Sequence, residues 1–201
     1  MLVTLIDSPY SNAANIARAL RHVGAELTIT RDAGEIAAAD KLVLPGVGSF
    51  GAAISWLREQ GIDGAIAEAV RRGAAILGIC VGHQLLFDSS TESGSSRGLG
   101  LVSGEVVRFA GLLPVPQIGW NRVQIGPTSH ALFAGIADGT AFYFVNSYAA
   151  RSSAHQIAHA EYDGAFTAAV QRDRIFGVQF HPEKSSTAGL QVLRNYVEKV
   201  Q

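Results

Sequence analysis

Two short segments of this chain combine residue types at spacings that could do covalent chemistry: Gly78-Ile79-Cys80-Val81-Gly82 and Phe180-His181-Pro182-Glu183. The first has the form glycine–x–nucleophile–x–glycine. It closes a fully apolar run, Ala75–Ile79, and opens a helical pattern near Gly82 that carries Leu85, Leu86 and Phe87. A turn of this kind pushes its apical side chain out at the C-terminal end of a strand, and glycines beside it let backbone pass where a Cβ would clash. A helix start at Cys80 favours thiolate over thiol, and its first free N–H groups, beginning with that of Val81, can receive an oxyanion. In the second segment Pro182 biases His181 toward extended backbone. Residues i and i+2 of an extended chain point the same way, about 6.5–7 Å apart at Cα. The Glu183 carboxylate can therefore reach one ring nitrogen of His181 while the other faces a nucleophile. Cys80, His181 and Glu183 are thus of the types needed for nucleophile, base and orienter. A lone cysteine is more often a small buried hydrophobe; the elbow around Cys80 is what reverses that reading.

Other patterns are weaker. Gly46-Val47-Gly48-Ser49-Phe50-Gly51 formally matches a dinucleotide-binding glycine loop, but it follows the third strand-like run instead of the first. No acidic residue ends the next strand, and Glu68 falls inside a helical pattern, so no cofactor is expected. A turn after Pro45 that exposes the N–H of Val47 beside the elbow, as a second oxyanion donor, fits better; a plain tight turn stays open. His22 lies near a helix end and is expected to be solvated. His155 and His159 on one strand would stand about 13 Å apart, too far to share an ion. With neither HExxH nor a cysteine cluster present, no metal site is expected.

The elements that must position these residues alternate in the first half. Leu2–Ile6, Glu26–Thr30, Lys41–Leu44 and Ala75–Ile79 read as strands. Between them lie helical patterns from about Asn12 to Val23, with Asn12 as N-cap and Gly24 as stop, and near Ala52–Arg58 and Asp63–Arg72. Such alternation predicts an α/β fold: a mostly parallel central sheet with helices on both faces. Glu92–Gly100, rich in Gly and Ser, reads as a mobile surface loop. The C-terminal half then reads as an antiparallel strand extension: Glu105–Phe109, Ala141–Val145, His155–Glu161, Phe166–Gln171 and Ile175–Phe180, with Asp163-Gly164 as a hairpin turn and a closing helix from about Ser186 to Val200. A single domain over 1–201 is expected.

Composition narrows the classes. Apolar residues make up 48% and charged residues 16%, with a formal net charge of −1, which gives no electrostatic footprint for nucleic acid or an acidic membrane surface. The single cysteine excludes an intrachain disulfide. The N-terminal apolar run meets Asp7 too soon for a signal peptide, no run approaches a membrane span, and a cytoplasmic location is expected.

With these residues in place, the chain resembles the class I (triad) glutamine amidotransferases, and within them the glutaminase subunits of imidazole glycerol phosphate synthase in histidine biosynthesis. GICVGHQLLF at 78–87 is similar to the family's nucleophile motif, QFHPEKS at 179–185 to its histidine–glutamate motif, and PGVGSFG at 45–51 to its oxyanion strand. LPGVG, the lysine after HPE and QIGWN at 117–121 point to this subfamily. Two positions depart from it: His83 stands where Met or Val is usual and is typical of the anthranilate synthase and carbamoyl phosphate synthetase relatives, and Asn146 stands where His is usual. The resemblance implies hydrolysis of glutamine to glutamate and ammonia by a Cys80–His181–Glu183 triad. It implies an oxyanion hole from Val47 and Val81, and substrate contacts from Gly48 and Gln84. It further implies ammonia delivery to a (β/α)₈-barrel cyclase subunit in a heterodimer, with Asn12, Trp120, Asn121, Tyr143 and Lys184 toward that partner. The chain lacks a GxxxxGK[ST] loop for activating an acceptor, in keeping with a separate consuming subunit. The same chemistry serving another pathway, a silent regulatory subunit of the same fold, and a stand-alone cysteine hydrolase are the competing expectations.

Overall fold

The computed structural model describes residues 1–92, 94–126 and 130–200; Ser93, inside the loop read at 92–100, lies outside the described residues. The first half runs β1 (Leu2–Ile6), α1 (Ala13–His22), β2 (Glu26–Thr30), α2 (Ala33–Ala38), β3 (Lys41–Gly46), α3 (Phe50–Glu59), α4 (Ile62–Arg71), β4 (Ala75–Cys80) and α5 (Val81–Leu85). The second half runs β5 (Ser89–Ser90), β6 (Ser96–Arg97), β7 (Glu105–Arg108), β8 (Gln117–Ile125), β9 (Thr140–Asn146), β10 (Tyr148–Ala150), β11 (Gln156–Glu161), β12 (Ala165–Arg172), β13 (Ile175–Val178) and α6 (Ser186–Lys199).

One nine-stranded sheet has the order β2-β1-β3-β4-β13-β12-β11-β8-β9. The run from β2 to β13 is parallel, and pairing turns antiparallel from β13 to β12 onward to β9. The parallel core and antiparallel extension match the expectation. A feature beyond it is that β13, near the end of the chain, is inserted between β4 and β12. Every residue of β3 and β4 is buried, as expected for a parallel core covered on both faces, and all but Lys41 at the start of β3 are apolar. A smaller sheet, β10-β7-β5-β6, lies beside it.

Several local expectations need correction. The helix after the elbow ends at Leu85 and makes little more than one turn, so Leu86 and Phe87 follow it in a tighter turn closed by N–H bonds to the carbonyls of His83 and Gln84. Asn12 does not cap α1 with its side chain: Oδ1 accepts from Asn15 Nδ2 and Nδ2 donates to Glu183. The 92–100 segment is not simply a mobile surface loop, since β6 pairs with β5 and the Glu92 carboxylate accepts from the N–H of Phe50 at 2.7 Å. Asp163 and Gly164, both at positive φ, do form the β11–β12 turn. Among the described residues no helix is long and apolar enough to cross a membrane.

The C-terminal helix is fastened by polar groups that the sheet buries. Lys41 Nζ, at the start of β3, donates to the carbonyls of Tyr196, Val197 and Val200 at 2.7–3.0 Å, so a cation sits on the negative end of α6. The Tyr196 hydroxyl lies 2.6 Å from the Leu42 carbonyl and 3.1 Å from that of Ala75, bridging β3 and β4.

Candidate active site

Cys80 ends β4 and begins α5 with φ 55° and ψ −112°, a conformation that side chains rarely adopt and that costs roughly 1–3 kcal/mol. The glycines around it explain how the chain tolerates the bend. A Cβ on Gly82 would run into the Leu44 carbonyl of β3, and one on Gly78 would sit 2.6 Å from the Gly82 carbonyl oxygen. The elbow is thus wedged against β3, and the thiol, 4% exposed, stands at the C-terminal end of the sheet.

His181 reaches the same end because β13 pairs with β4 in parallel, Val178 opposite Ile79. Beyond β13 the chain is sewn to β9. The His181 N–H donates to the Tyr143 carbonyl at 2.9 Å. Ser185 Oγ donates to the His181 carbonyl and accepts from the Tyr143 N–H, at 2.6 and 2.9 Å. Phe180 is stacked on Phe142, ring centres 4.1 Å apart, which fixes the backbone just before the imidazole. Glu183 Oε1 lies 2.9 Å from His181 Nδ1, and both side chains are almost fully buried. Burial alone would lower the imidazole pKa. Hydrogen bonds to Cys80 and Glu183, and the negative charge of both partners, outweigh it and push the pKa up to about 10. The three side chains therefore converge: sulfur and imidazole line one cavity, and the carboxylate orients the imidazole. Asn12 Nδ2 adds a 3.3 Å contact to the same carboxylate oxygen.

A cavity of about 300 Å³ opens over the sulfur. Its lining includes Val47, Gly48, Val81, Gln84, His181 and Lys184, which the sequence singles out, and Glu92, Val145, Ser147 and Tyr148, which it does not. Those four belong to strand ends and loops of the second half, where no local pattern marks them; only their return to the elbow in space brings them in. Asn146 also lines the cavity. His83 does not: it is fully buried in a space that the missing side chain of Gly177 leaves open, edge-on to Phe87 at 5.1 Å. The departure at His83 thus touches the core, and the one at Asn146 touches the cavity.

Two sequence expectations meet a different geometry. The N–H of Val47 donates to the Tyr10 carbonyl at 2.8 Å, so it does not face the elbow as a free donor in this conformation. Trp120 and Asn121 are neighbours on β8 and point to opposite faces. Trp120, 56% exposed, packs edge-on against Tyr143 at 6.0 Å, and Lys184 Nζ lies 6.0 Å from the same ring, so these three form a row beside the cavity mouth. Asn121 Nδ2 instead donates to the Glu161 carbonyl at 2.9 Å.

Comparison with known proteins supplies the family and the fold. Residues 4–200 match the family model described as glutamine amidotransferase class-I. The chain is 45% identical over 200 residues to the imidazole glycerol phosphate synthase subunit HisH of Moorella thermoacetica, covering 98% of this chain and 95% of that one. It is 42% identical to the same subunit of Dehalococcoides mccartyi, covering 97% and 96%. Among solved structures, a crystal structure of a glutamine amidotransferase superposes with TM-score 0.76 at 19% identity, covering 97% of each chain. The structure of PurLQS from Thermotoga maritima superposes with TM-score 0.75 at 20% identity, covering 100% of this chain and 99% of that one, and likewise shares the fold. The family match over residues 4–200, with relatives 42–45% identical over nearly the whole of this chain, makes this protein a member of the class I glutamine amidotransferases.

Proposed function

We propose that the chain is the glutaminase subunit of imidazole glycerol phosphate synthase, hydrolysing glutamine to glutamate and passing the ammonia to a (β/α)₈-barrel cyclase in the cytoplasm. The observation that carries the reading is that Cys80 and His181 line one cavity, of the size a small amino acid needs, with Glu183 Oε1 2.9 Å from His181 Nδ1. A free, unpaired catalytic thiol also suits a reducing compartment.

With the proton already held on His181, Cys80 reacts as the thiolate of an imidazolium–thiolate pair and adds to the amide carbon of glutamine. The oxyanion is received by the Val81 N–H at the start of α5. His181 returns its proton to the leaving nitrogen, the C–N bond breaks, and ammonia departs from a γ-glutamyl thioester. Water then gives a proton to His181 and attacks the thioester; the C–S bond breaks, glutamate leaves, and the imidazolium–thiolate pair is restored. Glu183 holds the imidazole with Nδ1 toward itself throughout and stabilises its charged form. Val47 can act as the second oxyanion donor only after its N–H exchanges the Tyr10 carbonyl for the substrate oxygen. A missing donor costs ~3–4 kcal/mol, a few hundredfold in rate, so this single peptide sets the difference between slow and fast turnover. Gly48 and Gln84, at the cavity wall, contact the substrate.

The partner face is read from Trp120, Tyr143 and Lys184 beside the cavity mouth. Cys80→Ala is expected to abolish ammonia release from glutamine while the assembled complex still uses added ammonium. Continued glutamine hydrolysis by the purified variant would remove Cys80 as nucleophile.

A further inference from the structure

Gln179 has no part in the reaction above, yet its side-chain Nε2 donates to Cys80 Sγ at 4.0 Å. The residue is fully buried between the end of β13 and His181. Which end of a glutamine amide meets a neighbour is decided by its hydrogen-bond partners, and here the partners leave one choice. The Tyr148 carbonyl can only accept, and it accepts from Gln84 Nε2 at 2.8 Å and from Asn146 Nδ2 at 3.0 Å. The same Gln84 nitrogen donates to Gln179 Oε1 at 3.0 Å, which leaves Gln179 Nε2 as the end that meets sulfur. A backbone carbonyl thus sets the direction of a chain two amides long that ends as a donor on Cys80.

A second polar contact of the sulfur is the Val145 carbonyl oxygen, 3.8 Å away. A thiol S–H can donate to it, whereas a thiolate is repelled by it. The Gln179 N–H acts in the opposite sense, favouring the charged form. We propose that Gln179, oriented by Gln84 and the Tyr148 carbonyl, stabilises the Cys80 thiolate by direct hydrogen bonding and shares that task with His181. Gln84 is then a positioning residue as well as a cavity wall: its amide nitrogen is committed inside the protein, and only its oxygen remains for a bound substrate.

The proposal rests on Cys80 being the glutaminase nucleophile, so its test is read on the sulfur and not on glutamine. Gln179→Met keeps the length and removes the donor; Gln179→Glu keeps the shape and sets a carboxylate against the sulfur. In the full chain, the pH midpoint for alkylation of Cys80 by iodoacetamide is expected to rise by about one unit in Gln179→Met, a tenfold loss of thiolate below the midpoint, and further in Gln179→Glu. Gln84→Met, which frees the Gln179 amide to turn, should move it the same way by less. An unchanged midpoint in a folded Gln179→Met protein overturns the proposal. Where circular dichroism shows that these variants do not fold, the unmodified chain decides. The Gln179 side-chain NH₂ signals in heteronuclear NMR should move with Cys80 ionisation and stop moving in Cys80→Ala; signals indifferent to that ionisation overturn the proposal. Shifted midpoints in a chain that never hydrolyses glutamine would leave the thiolate contact standing and remove the glutaminase reading instead.

Discussion

His83 and His181 are both buried histidines whose surroundings push them in opposite directions. His181 has two acidic partners and a pKa of about 10, so its proton is held in the folded state. Relative to an unfolded value near 6.5, the stability this contributes is complete below about pH 6.5 and is lost as pH rises toward 10. Burial pushes His83 down to about 3, and neither ring nitrogen has a hydrogen-bond partner among the described residues. The unfolded chain takes up this proton below about pH 6.5 while the folded chain refuses it, so stability falls as pH drops from 6.5 toward 3, by ~4–5 kcal/mol at the lower end. His83→Leu is expected to remove most of that acid limb. Denaturant unfolding at pH 7 and pH 4 checks it: the difference in unfolding free energy between the two pH values should shrink in the variant, and an unchanged difference would contradict the assignment.

At the scale of the elements, α6 depends on a cation supplied from β3. Lys41→Met keeps the aliphatic stem but leaves the carbonyls of Tyr196, Val197 and Val200 without their donor. A loss of ~2–3 kcal/mol is expected, seen as a lower denaturation midpoint with the last turn of α6 exchanging fastest. Elements carried by local pattern were legible in the sequence. The apolar runs of β1, β3 and β4, the amphipathic α1, α3 and α4, and the Asp163-Gly164 turn all lie within a few residues of where their residue types put them. Elements held by distant partners were not. The six-residue α2 is too short to show a period, and the nine-residue β8, interrupted by Gly119, acquires its strand character from pairing with β9. The site divides in the same way. Cys80 and its glycines, and His181 with Glu183, are readable because each motif is local. The direction of the Val47 N–H depends on Tyr10, and the places of Glu92, Ser147 and Tyr148 in the cavity depend on chain paths that no neighbouring residue announces.

For the molecule as a whole, the cavity opens beside an aromatic and cationic row that a folded chain of this size has no need to expose. Ile118 and Trp120, 63% and 56% exposed, share one face of β8, and Tyr143 and Lys184 continue it. Aromatic groups of this kind carry a disproportionate share of binding energy when a partner covers them. Trp120→Ala should weaken association with the proposed cyclase partner at least tenfold in titration calorimetry with little change in thermal stability, and Lys184→Glu should act in the same direction; affinities equal to the unmodified chain would place the partner elsewhere. The insertion of β13 between β4 and β12 bears on how this molecule comes into being. Gln179 and Cys80 stand 99 positions apart, and the imidazole follows the amide by two residues. During synthesis the sulfur therefore emerges long before the groups proposed to activate it, and the middle of the sheet stays an open slot until β13, the last described strand, leaves the ribosome. A truncated product ending before Ile175 would hold a cysteine with no base, next to an unfilled edge of β4 able to pair with another chain. Arrival of β13 is thus the event that closes the sheet and brings the proposed base beside the thiol in one step.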